Sequence, residues 1–131
     1  MKTCVKVLGC DFELANSLET DRRRDGAGEA AKLLLDEIRG YPRERLWGTL
    51  IEWGRRFLPE TGGSAYIDSE HLEINTPEHT RAEDHAALIH AGLRLAREAR
   101  AAATAKLPAG RHVFALQTGD PSDAFLVVEV E

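Results

Sequence analysis

Ser64-Ala65-Tyr66-Ile67-Asp68-Ser69-Glu70-His71-Leu72-Glu73-Ile74-Asn75-Thr76-Pro77-Glu78 is the stretch on which the fold turns, because polar residues stand where a simple strand would bury apolar ones. Tyr66 and Asp68 fall on one side of an extended chain with Ile67 opposed, whereas His71, Glu73 and Asn75 oppose Leu72 and Ile74. For Ile67, Leu72 and Ile74 to reach one core, the alternation must slip by one residue. A bulge or tight turn at Ser69-Glu70 produces that slip. Tyr66, Asp68, His71 and Glu73 then share the other face.

Upstream, residues Thr3 to Glu13 alternate as a strand, with Val5, Val7, Gly9, Asp11 and Glu13 on one face and Cys4, Lys6, Leu8, Cys10 and Phe12 on the other. Its far end sets two carboxylates side by side. Ser17 to Gly28 contains Asp21-Arg22-Arg23-Arg24-Asp25-Gly26 and has no apolar period, which predicts an exposed, mobile loop. Ala31, Leu34, Leu35 and Ile38 keep helical spacing up to the stop at Gly40 and Pro42. Leu46, Leu50, Trp53 and Phe57 suggest a second helix ending before Pro59, with Trp47 and Trp53 as packing residues.

Downstream, Thr80-Arg81-Ala82-Glu83 has the pattern of a capping box. It opens a third helix that runs to about Ala103, with Ala86, Ile89, Leu93, Ala96 and Ala99 along one face. His112 to Leu116 and Ala124 to Val130 then predict two strands joined through Gly119-Asp120-Pro121-Ser122. The order β-α-α-β-β-α-β-β does not alternate as a parallel, doubly wound sheet requires. The expected fold is therefore α+β, with a mostly antiparallel sheet and helices packed on one face.

The 131 residues, 43% hydrophobic and 30% charged, suffice for one core, so residues 1–131 are expected to form a single domain. A net charge of −5, from 22 acids against 17 bases, opposes sequence-independent nucleic-acid binding. No membrane span or secretory signal is visible, and the expected location is the cytoplasm. Cys4 and Cys10, six apart on a strand, would sit ~20 Å apart and cannot bridge each other there. His79, His85, His90 and His112 show no HExxH pattern, which gives zinc hydrolysis little support.

If the opening strand pairs near the central stretch, Asp11 and Glu13 join Asp68 and Glu73 on one face, and their mutual repulsion calls for compensation. A hard divalent cation would supply it. Magnesium takes oxygen ligands and is often held by one or two carboxylates, leaving its other positions to water and phosphates. A further carboxylate kept off the metal is a candidate base or nucleophile. The alternative is that these acids are paired with arginines such as Arg39, Arg55 and Arg56.

Gly9-Cys10-Asp11-Phe12-Glu13, followed far downstream by Tyr66-Ile67-Asp68-Ser69-Glu70-His71-Leu72-Glu73, resembles the opening of the Pup ligase and Pup deamidase family. In that family of glutamine-synthetase-like carboxylate-amine ligases, a Gly-x-Glu-x-Glu strand precedes a Tyr-x-Asp segment and a His-x-Glu. A Pro-Glu or similar pair follows, and Pro77-Glu78 occupies that place here. The resemblance implies a glutamine-synthetase-like half-domain, with Asp11, Glu13 and Glu73 as magnesium ligands and Tyr66 near the metal. It implies Asp68 as the catalytic carboxylate, with His71 beside it.

The implied chemistry uses ATP and magnesium to activate a carboxylate substrate for attack by an amine, or hydrolyses an amide in the same cradle. Asp11 stands where the family has glutamate, the family's later asparagine and histidine positions are not matched, and family enzymes are much longer. Three readings stay open: one portion of a ligase completed by a second polypeptide, a relative that binds a metal or small acid without turnover, and an interaction domain with solvated acids. An apolar face left by a missing half would favour self-association as a homodimer.

Overall fold

The computed structural model describes residues 6–20, 23–42 and 53–116. The strands are β1 (Asp11–Thr20), β2 (Arg23–Asp25), β3 (Tyr41–Pro42), β4 (Trp53–Phe57), β5 (Ser64–Asp68), β6 (His71–Asn75) and β7 (Arg111–Leu116). The helices are α1 (Ala27–Glu37) and α2 (Ala82–Ala105). The sheet order is β2-β1-β6-β5-β4-β3, with β7 also on β1, and each of these pairings is antiparallel. This is the α+β architecture expected, with two helices on the sheet.

β5 and β6 form a hairpin through Ser69-Glu70, with Asp68 opposite His71, Ile67 opposite Leu72 and Tyr66 opposite Glu73. Ser69 takes φ 55, a left-handed conformation that two-residue hairpin turns require. The slip in parity therefore lies where the alternation demanded it. Ile67, Leu72 and Ile74 point to one core with Ala65, Phe12 and Leu14.

β1 differs from expectation in its frame. It starts at Asp11 and runs to Thr20, through residues expected to form a loop, and β2 then returns from Arg23 to Asp25. Phe12, Leu14 and Leu18 are buried on one face, but Asn16 and the polar residues after it obscure the alternation in the sequence. Val7 and Leu8, expected on the opening strand, are exposed, and Leu8 makes only an isolated bridge to His79. Cys4 and Val5 lie outside the described residues.

Asn16 is buried within the apolar face because its side chain ties three segments together. Its Nδ2 donates to the carbonyls of Ala27 at 2.6 Å and Glu70 at 3.2 Å, while Oδ1 accepts from the Leu72 N–H at 2.8 Å. β1 changes partner at this point, pairing with β6 through Leu14 and with β7 from Ala15 onward. The amide substitutes for ladder bonds and satisfies groups that would otherwise be costly to bury.

α1 buries Ala30, Ala31, Leu34 and Leu35, with Ile38 at its C-cap, as the spacing predicts. α2 begins after Arg81, one residue beyond the expected Thr80 cap, and no side chain caps it; Glu83 and Asp84 in the first turn oppose the helix dipole instead. Its buried face is Gly92, Ala96, Ala99 and Ala103, whereas Leu93 and Ala86 turn outward. Close approach explains the choice of small residues: a Cβ on Gly92 would lie 2.2 Å from Cζ of Phe12.

The helix expected through Trp53 and Phe57 is not formed there. Trp53–Phe57 is β4, paired with β5 across an irregularity between Trp53 and Arg56, and Gly54 has φ 70. The helical spacing of those aromatics was coincidental, since the ladder to β5 satisfies this segment's backbone groups. Trp47, Leu46 and Leu50 lie outside the described residues. So does the strand expected at Ala124 to Val130, while its expected partner is β7. Among the described residues, no helix is long and apolar enough to cross a membrane.

Candidate functional site

Three adjacent strands place the acids together. The β1–β6 register sets Asp11 opposite Asn75 and Glu13 opposite Glu73, and the β6–β5 register extends those rows to Ser64 and Tyr66. Asp68 and His71 form the next cross-strand pair. Alternation puts all eight side chains on the face opposite Phe12, Leu14, Ile67, Leu72 and Ile74. The sequence-predicted Asp11, Glu13, Tyr66, Asp68, His71 and Glu73 are therefore brought to one surface.

The surface grades from buried to open. Tyr66 is 5% exposed, and its hydroxyl donates to Glu73 Oε1 at 2.7 Å. Burial pushes the Glu73 carboxyl above its ordinary range; the Tyr66 hydrogen bond opposes that shift, while the charges of Asp11, Asp68 and Glu13 reinforce it. The Tyr66 phenol is raised as well, by burial first and then by Glu73. It therefore stays protonated and serves as a donor.

Glu13 accepts a hydrogen bond from His71 Nδ1 at the exposed side of the site. Asp68 is exposed at the hairpin end, where Ser69 Oγ donates to its Oδ1 at 3.3 Å. Asn75 Oδ1 accepts from both Ser64 N–H at 2.7 Å and Ser64 Oγ at 2.8 Å.

Among the described residues, Arg55 brings a guanidinium to this site. Its guanidinium lies 3.7 Å from the centre of the Tyr66 ring and donates to Ser64 Oγ. Arg56 turns to the other side of the sheet, donating to the Ile38 carbonyl at 2.7 Å and to Asp36 at 3.2 Å. The two neighbouring arginines thus have different roles, separated by the irregularity in β4. Parity alone would have added Ser64 and Asn75 to the predicted set, but the position of Arg55 needed the β4 register.

The donor chemistry suits a hard cation held by one or two carboxylates and completed by water. Half-buried Glu73 lies opposite exposed Glu13, and the charges of Asp11 and Asp68 also act on it. Among the described residues, no group of three or more His, Cys, Asp or Glu side chains is placed so that it could hold a metal ion. A cavity of about 750 Å³ opens elsewhere, between α2 and the β4–β5 connection, lined by residues such as Leu58, Ile74, Leu95 and Glu98; none of the six predicted site residues lines it.

No family model matches the chain, and no curated protein matches it.

Proposed function

We propose that the acidic face formed by β1, β6 and β5 binds a cation, magnesium by the donor chemistry, and that the domain is part of an ATP- and magnesium-dependent carboxylate-amine ligase or related amidohydrolase of Pup-ligase type. One observation carries the reading: Asp11 and Glu13 from the start of β1 meet Asp68 and Glu73 from the β5–β6 hairpin on one surface, as the resemblance requires. The Glu73 carboxyl, raised first by burial and further by the charges of Asp11, Asp68 and Glu13, supports it, because a cation would offset those charges.

In this proposal Asp11 and Glu73 hold the cation, with Glu13 close by, and Tyr66 orients Glu73 through its hydrogen bond. Magnesium, when bound, would neutralise phosphoryl charge. Asp68, exposed at the open end, is the carboxylate available as base or nucleophile. Arg55 braces the Tyr66 ring from the adjoining strand. Turnover would require a second polypeptide or further segment to supply the nucleotide contacts.

A second reading, a non-catalytic ligand-binding domain, is favoured by the partners already present. Glu73 is engaged by Tyr66 and Glu13 by His71, so a cation would compete with internal hydrogen bonds. Calorimetric titration of magnesium, with and without ATP, into the wild type and Glu73→Ala tests both. Magnesium binding that weakens in Glu73→Ala supports the site, and strengthening by ATP supports the ligase. Equal, absent binding in both proteins sinks the metal site.

A further inference from the structure

We propose that His79 and His85 form a two-nitrogen chelate for Cu²⁺ or Ni²⁺, separate from the acidic sheet face. The rings meet where the chain leaving β6 enters α2. His79 is held by paired backbone bonds with Leu8, at 2.7 and 2.9 Å, and the His85 N–H donates to the Arg81 carbonyl at 3.1 Å in the first turn of the helix. Both rings are half-buried, with centroids 5.0 Å apart and planes inclined by 33°. His79 Nε2 lies 2.9 Å from His85 Nδ1.

The proton positions follow from the partners. His79 Nδ1 is 2.8 Å from the Pro77 carbonyl, which only accepts, so Nδ1 carries a proton, and in the neutral form of the ring Nε2 has its lone pair toward His85. A backbone carbonyl on the far nitrogen is also the arrangement that orients metal-binding imidazoles. As the rings stand, His85 Nδ1–H donates to that lone pair. For a cation to enter, the His85 proton transfers through solvent from Nδ1 to its own Nε2, and both rings rotate so that the two lone pairs, now aimed at each other, turn toward a common point. No net proton leaves the neutral pair.

The donors select the class of cation, because the affinity of nitrogen sites for first-row divalent ions rises through Ni²⁺ to a maximum at Cu²⁺. Adjacent corners of a square or tetragonal set are the preference of Cu²⁺ and Ni²⁺. No third His, Cys, Asp or Glu completes a cluster among the described residues, so the other positions fall to water or to an incoming donor.

The test is calorimetric titration of tag-free full chain with Cu²⁺ against glycine as competitor, together with electron paramagnetic resonance of the complex. One equivalent should bind with nitrogen splitting from two imidazoles, and His79→Gln and His85→Gln should each weaken it by about tenfold or more. Asp11→Asn and Glu73→Gln should leave it unchanged, so failure here is distinguishable from failure of the acidic site. Unchanged affinity in the double variant His79→Gln/His85→Gln overturns the proposal, as does loss that follows His90→Gln or His112→Gln instead. The nitrogen splitting of the wild type stands as a readout even where a variant fails to fold.

Discussion

The face of the sheet that meets α1 and α2 and the face that turns away from them are built from alternate residues of the same three strands, yet different forces hold them. Phe12, Leu14, Ile67, Leu72 and Ile74 are held by apolar area, which is non-directional and insensitive to pH. On the other face Tyr66 depends on Glu73 and His71 on Glu13, through hydrogen bonds that have a direction. A one-residue shift would exchange the two sets, which is why the turn at Ser69-Glu70 governs both. The packing of the apolar face thus also positions the acidic one.

The strongest way to break this comparison is from the apolar side. Leu72 is fully buried, and Leu72→Ala should cost about 2–5 kcal/mol in urea unfolding. Because Leu72 sits between His71 and Glu73, the variant should also disturb the acidic face in proportion to its lost stability. A loss confined to stability, with the Tyr66–Glu73 contact unchanged by NMR, would mean that the two faces are less coupled than their shared strand implies.

Asn16 offers a sharper probe, since it is polar on the apolar face. Asn16→Leu keeps the branched shape of the side chain but removes the partner of the Leu72 N–H and the Ala27 and Glu70 carbonyls. It should cost about 1–3 kcal/mol, measured by the same unfolding assay. Stability at or above that of the wild type would show that this face accepts any apolar residue and that the tie between segments is dispensable.

The smallest effect is the pH dependence of the acidic face. Glu73 is raised in the folded state, so between its ordinary value and the raised one the folded chain binds more protons than the unfolded chain. Its contribution to stability is therefore most favourable below that window and falls as pH rises through it. Glu73→Gln should flatten this part of the profile of melting temperature against pH. An identical slope in both proteins would assign the dependence to other groups.

Much of this was legible where a local pattern had one solution. Leu34, Leu35 and Ile38 announced α1, and the opposed parities of Ile67 and Leu72 announced the hairpin turn. The strand β1 was misframed because Asn16 interrupts its apolar row, and an isolated reading gives no sign that its amide is satisfied by three distant backbone groups. Trp53 and Phe57 keep a spacing compatible with a helix, and only pairing with β5 decides for a strand. On α2 the hydrophobicity scale favoured Leu93, while the nearness of Phe12 rewards Gly92.

By itself the sequence determined the class of fold, the turn at Ser69-Glu70 and which residues of the hairpin share a face, because alternation is a property of neighbouring residues along one chain. Only the tertiary structure decided that β1 lies beside β6 with Glu13 opposite Glu73, that Arg55 covers Tyr66 while Arg56 leaves for Asp36, and that His79 meets His85. Those outcomes depend on register and on the angle at which separate segments approach. They are selected by the packing of the whole core, and no local window of residues encodes them.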